Sequence, residues 1–250
     1  MLKITRIYLL PIINFVWFTA TFCSTYATAV CLLHVRPLFP SISNNSMFPP
    51  ESSLFSQLVN IGCIMMASIV YVRYRNVEEL VKIYGFDWYI GDINWICLWT
   101  GLVSTVGISV FSNFQQSAII YIHCIGIGLG FGVGTLYQII HTILCLHIGY
   151  KTGSAVMNVI RTLIMSVSCI SIIVFLVFYT ILLRSSANKT GKITPDDAMF
   201  VPFLLSSLAQ WKMAFCLIGY LLTYTYEFRK ITIYEPKIIF KGQLSNISQL

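Results

Sequence analysis

The sequence predicts an all-α, polytopic membrane protein: a six-transmembrane-helix bundle with both termini cytoplasmic. Three observations predict it. The chain is 57% hydrophobic and 10% charged, with a mean hydropathy of +0.78. Soluble domains carry roughly 25% charged residues, so there is too little charge here to cover a water-soluble surface. Six apolar segments reach the about 20 residues that a spanning helix needs. Lys and Arg residues alternate in abundance from one inter-segment region to the next, as membrane topology demands.

Taken in order, the first segment, 8–33, contains Pro11 in its opening turn, where a helix has no backbone partner to lose. It is too long for the apolar core of a signal peptide and lacks a convincing small-x-small exit, so it reads as a retained signal anchor. The second to sixth segments cover about 54–72, 93–111, 118–146, 159–183 and 203–225. Residues 226–250 form a tail, and 1–250 is expected to be a single membrane domain. Neither long loop between spans is big enough to fold alone.

One side carries Lys3, Arg6, Arg73, Arg75, Lys82, Lys151, Arg161, Arg229, Lys230, Lys237 and Lys241; the other carries only Arg36, Arg184, Lys189 and Lys192. The richer side is the cytoplasmic one, and it holds both ends. Glycosylation sequons begin at Asn44 and Asn188, both in loops assigned to the opposite side. The net charge of +7 is dispersed over these short loops and calls for no nucleic-acid partner.

The eight cysteines lie in or at the ends of apolar segments and form no C-x-x-C pair, which speaks against a disulfide framework or a zinc site. Cys145, near a cytoplasmic helix end, is a candidate for palmitoylation. No motif of a hydrolase, zinc protease or nucleotide-binding loop is present, and neither metal nor cofactor is expected.

Inside the bundle, Gly126, Gly128, Gly130, Gly132 and Gly134 fall at every second position of the fourth span. On a helix they make two stripes, 126/130/134 and 128/132. Small residues let membrane helices approach closely, so this span is expected at the bundle's centre, contacted on two sides. Lys212 is the one non-histidine ionisable group placed near mid-membrane, with no acid in any expected span to pair with it. An intramembrane charge is a functional candidate, and one facing a water-filled cavity would mark a channel. His34, Glu51, Asn60, Asn113, Gln115 and His123 gather toward the outer leaflet. They either form a mutual hydrogen-bond network holding the first loop on the bundle or line a lipid head-group or substrate site. His141 and His147 read as interfacial residues.

The stretch His34-Val-Arg-Pro-Leu-Phe-Pro-Ser-Ile-Ser43, with Pro49-Pro-Glu-Ser52, resembles the first lumenal loop of the DNA-damage-regulated autophagy modulator (DRAM) family, within the FRAG/DRAM/SFK superfamily. Asn60, Tyr71-Val-Arg-Tyr74, Asn113-Phe-Gln115, His123, Trp211 and Ala214-Phe215 continue the resemblance in register over nearly the whole chain. Two positions depart from it: Gln210 stands where the family carries an acid, and Lys212 where it carries a small or polar residue. The resemblance implies a multi-pass protein of lysosomal or other endomembranes that modulates autophagy without catalysis. Membrane lipids, and autophagy or trafficking proteins met on the cytoplasmic side, are its expected partners. The wider superfamily implies the alternative, a lipid-handling protein acting in lipid remodelling, leaflet asymmetry or lipid-kinase recruitment through the outer polar site.

Overall fold

The structure is a computed structural model that describes residues 3–152, 155–184, 193 and 195–234. It contains six helical stretches long and apolar enough to cross a membrane: Leu9–Cys31, Glu51–Tyr84, Trp88–Asn113, Ile120–Gly149, Ala155–Arg184 and Phe200–Phe228. The chain is a multi-pass helical membrane protein.

The first span is α1 (Leu9–Cys31). A short α2 (Ile42–Asn45) follows in the loop, capped by the Ser41 hydroxyl, which accepts from the Asn44 amide at 3.1 Å. Helix α3 (Glu51–Tyr84) opens directly after Pro49-Pro50 with an acid in its first turn, where the helix dipole favours one. It closes at Gly85, whose φ of 60° gives the left-handed cap, with Lys82 in the last turn. At 34 residues α3 is about 51 Å long, so it overruns a hydrocarbon layer of about 30 Å. Its apolar run ends near residue 72, and the remaining turns continue as polar helix. Helix α4 (Trp88–Asn113) likewise starts before its apolar run.

The fourth span is not one α-helix. It consists of α5 (Ile120–Ile127), one π-helical turn (Gly128–Gly132) and α6 (Val133–Thr152). Helix α7 (Ala155–Arg184) is followed by α8 (Phe200–Leu222) and the single turn α9 (Thr225–Phe228). Two residues at each end, β1 (Lys3–Ile4) and β2 (Ile233–Tyr234), pair antiparallel. That pairing brings Lys3 and Tyr234 to one face of the bundle, here called the termini face; the loop carrying α2 lies at the opposite, loop face.

Spans adjacent in sequence pack side by side, α1 on α3, α3 on α4, α4 on α5 and α6, α6 on α7 and α7 on α8, and α8 returns to α1 to close the ring. The middle is apolar. Phe18, Phe22, Phe55, Phe111, Phe131 and Leu217 surround a void of only ≈ 20 Å³. A void with no polar lining stays dry, so among the described residues it offers no water-filled path at this level.

One glycine stripe makes the expected seam. A Cβ on Gly126 would strike the Phe111 backbone, one on Gly130 would meet Ile108, and one on Gly134 would lie 2.7 Å from the Ser104 hydroxyl. Across the seam Gly107 abuts the backbone of Leu129 and Gly130, and Ser104 donates to the Gly130 carbonyl at 2.7 Å. The span is contacted on a second side by α7 and α8, but not through the other stripe: a Cβ on Gly128 would meet nothing within 4 Å outside its own helix, and one on Gly132 only the end of the Ile172 side chain at 3.9 Å.

Candidate functional site

At the loop face, the six polar residues expected to gather are divided among separate interactions. His123, buried at the top of α5, uses both ring nitrogens: Nδ1 meets the Phe114 carbonyl at 2.7 Å and Nε2 the Ser43 hydroxyl at 3.1 Å. Ser43 Oγ also accepts from Gln210 Nε2 at 2.9 Å, and the Ser43 amide donates to Gln210 Oε1 at 3.4 Å. Beside them Trp211 donates its indole N–H to the Pro40 carbonyl at 2.9 Å. Loop, α5 and α8 are thereby fastened together. Gln210 is thus a clasp in this chain, a role its neutral amide can fill because it both donates and accepts.

His34 pairs with Glu51 at 2.5 Å, joining the end of α1 to the start of α3; the carboxylate is fully buried and the histidine is partly open. Asn60 and Asn113 exchange amide hydrogen bonds of 3.0 and 3.2 Å, with Ser109 donating to Asn60 Oδ1 at 2.7 Å, on the outward side of the α3–α4 contact. Gln115 supplies its backbone carbonyl to the turn before α5. The six therefore make their hydrogen bonds in separate groups rather than in one shared network.

Asn44 lies on α2 facing inward, 3% exposed, with its Nδ2 buried and unpartnered. A sugar on that nitrogen has no room in this conformation. The Asn188 sequon lies outside the described residues. Lys212 is exposed on the outer side of α8, so it does not line a central cavity.

The densest polar assembly is at the termini face, built from residues toward the ends of the expected spans and in the expected tail. Arg73 on α3 and Arg161 on α7 are 2% and 0% exposed. Arg161 donates from Nη2 to Glu227 at 2.7 Å and from Nε to the Thr223 hydroxyl at 2.9 Å. Arg73 donates from Nε to His141 Nε2 at 3.1 Å and from Nη1 to Asn76 at 2.7 Å, while its Nη2 lies 4.0 Å from Glu227. Both guanidiniums flank the Tyr224 ring, 5.4 and 5.3 Å from its centre. Such stacking suits a planar, weakly hydrated cation.

His141 corrects the interfacial reading, being fully enclosed. Its Nε2 accepts from Arg73, which assigns the proton to Nδ1, facing the Tyr220 and Tyr224 hydroxyls at 3.1 and 3.2 Å. Tyr224 also bonds to Tyr137 at 2.5 Å, and Tyr220 to Thr142 at 2.8 Å. Cys145, 1% exposed, lies between the two guanidiniums at 3.4 and 3.5 Å, so this thiol is not open to acylation in the folded chain. His147, by contrast, is exposed on α6 as expected. Among the described residues no three His, Cys, Asp or Glu side chains gather closely enough to hold a metal ion.

Two features hid this cluster. Arg73 and Arg161 sit one residue past an expected helix end and two residues into an expected span, where hydropathy cannot separate a buried cation from a topological one. Glu227 lies in what reads as tail. The Tyr71-Val-Arg-Tyr74 motif was the available signal.

A six-span helical bundle, dry at its centre and carrying polar clasps at both faces, defines the class: a polytopic membrane protein without a central pore in the described residues. The Frag1/DRAM/Sfk1/Cwh43P N-terminal domain profile matches residues 6–231, and the chain belongs to that family. Similar proteins include DNA damage-regulated autophagy modulator protein 2 of Rattus norvegicus, 33% identical over 90% of this chain and 84% of that protein. DNA damage-regulated autophagy modulator protein 1 of Homo sapiens is 29% identical over 89% of this chain and 91% of its own length. The modulator of macroautophagy TMEM150B of Xenopus tropicalis is 28% identical, over 82% of this chain and 86% of its own length. No solved structure matches the chain.

Proposed function

We propose that this chain is a non-enzymatic, multi-pass protein of lysosomal or other endomembranes that modulates autophagy, with the termini face toward the cytoplasm. The observation that carries the reading is similarity over about nine-tenths of the chain to proteins named as autophagy modulators. The loop-face geometry supports the non-enzymatic part. His123, Ser43 and Gln210 are committed to one another, and His34 to Glu51, which suits a clasp better than acid–base chemistry on a substrate. Cytoplasmic partners would meet the termini-face helix ends and the tail.

The test is to follow a tagged full-length chain and to measure autophagic flux after its depletion. Residence on lysosomal membranes and altered flux are expected. Residence at the plasma membrane with unchanged flux would overturn the reading. The lipid-handling alternative would need the six outer-leaflet polar residues to line one site, whereas their hydrogen bonds are made in separate groups.

A further inference from the structure

We infer that the termini face holds a binding site for a phosphate-bearing anion, either a lipid head group or free phosphate, in the cavity beside Arg73. The inference is independent of the proposed role in autophagy. The cavity measures ≈ 320 Å³, larger than a bare phosphate, and its polar lining includes Arg73, Asn76, Glu79, Glu227, Tyr226 and Lys230.

Charge is the first argument. The enclosed group contains two guanidiniums and one carboxylate, and an arginine side chain stays protonated. Glu227 is committed to Arg161 at 2.7 Å and reaches Arg73 only at 4.0 Å. The acids nearby do not make up the difference. Glu78 is held by Arg75 at 2.9 Å, and Glu79 by Lys82 at 2.8 Å. One positive charge is left without a close counter-ion, and a buried charge in that condition is costly.

Unused donors are the second. A guanidinium has five N–H groups. Arg73 spends one on His141, one on Asn76 and one on the soft acceptor Cys145, while its side chain borders the cavity. Lys230, exposed at the rim, rests 4.2 Å over the Tyr226 ring and has no carboxylate within ion-pair distance among the described residues. A forked donor on one wall and an ammonium on another can offer hydrogens to different oxygens of one phosphate.

Depth is the third. Arg73 stands one residue past the apolar run expected over 54–72, at the edge of the hydrocarbon layer where the head-group region begins, and the cavity's other α3 residues, from Asn76 to Tyr84, lie further along the helix. Leu80, Ile83, Ile148 and Ile231 complete the wall on the side away from the hydrocarbon layer.

The test uses the full chain purified in detergent and melted with dioctanoyl phosphatidic acid, dioctanoyl phosphatidylcholine or inorganic phosphate. Phosphatidic acid should raise the melting temperature with saturation, and phosphatidylcholine should not. An equal rise with inorganic phosphate would assign the site to the soluble anion; a rise with the lipid alone would assign it to a head group. Lys230→Gln, outside the buried cluster, should weaken the apparent affinity about fivefold, as loss of one lipid-facing cation predicts. Arg73→Gln should abolish binding in whatever fraction folds. Equal shifts with both lipids, no shift with either phosphate probe, or an unchanged affinity in Lys230→Gln would overturn the inference.

Discussion

A single histidine does the fastening at the loop face. His123 bonds the chain on both sides of its ring, to Phe114 and to Ser43, so truncation removes two hydrogen bonds and leaves the Ser43–Gln210 pair exposed to a void. At about 1 kcal/mol per bond, His123→Ala should cost about 2 kcal/mol. The amount of folded protein should therefore fall in step with any activity. Retained folded protein with lost activity would turn His123 into a functional group. At the other face, Arg161→Gln leaves Glu227 with only its distant Arg73 partner in a buried setting. A broken buried pair costs about 3 kcal/mol or more. Melting of the single variants and of Arg161→Gln/Glu227→Gln should show the double variant less damaged than the sum, a coupling that a thermodynamic cycle measures directly.

Among elements, α4 approaches the π-turn backbone to backbone. Lipid gives helices no hydrophobic reason to associate, so close backbone approach and the Ser104–Gly130 bond hold this seam. Gly107→Val places a branched side chain against the Leu129 and Gly130 backbone, which cannot yield as a flexible side chain would. The variant should melt far below the parent or fail to accumulate. Gly128→Ala points into open space and should melt at or slightly above the parent, since Ala favours helix over Gly. Equal effects at the two positions would mean that the seam is misplaced. The long α3 is the second element with a consequence, because its polar turns carry Arg73 out of the apolar run and under α6 and α9.

For the whole molecule, six spans and the β1–β2 pairing fix one arrangement: Lys3 and Tyr234 on one side and the loop bearing α2 on the other. With the sequon at Asn44 buried, glycosidase treatment should remove sugar from one site only. The shift should persist in Asn44→Gln and vanish in Asn188→Gln. Epitopes at both ends should be accessible from the side opposite that sugar. A sugar on Asn44 would mean that α2 does not seat as described.

The sequence by itself determined the number of spans, their order and the shared side of the two ends, because a hydrocarbon layer demands long apolar helices and leaves a legible pattern between them. It also marked the residues at the loop face, since His34, Glu51, Asn60, Asn113 and His123 stand out in an apolar chain. Only the tertiary structure decided which of these meet, because hydrogen-bond partners 80 or 167 positions apart leave no local pattern. It alone separated the packed glycine stripe from the open one, as both have the same spacing. It alone placed Arg73, Arg161 and Glu227 in one buried group: a charge at a helix end reads the same in sequence whether it faces water or turns inward to a partner on another helix.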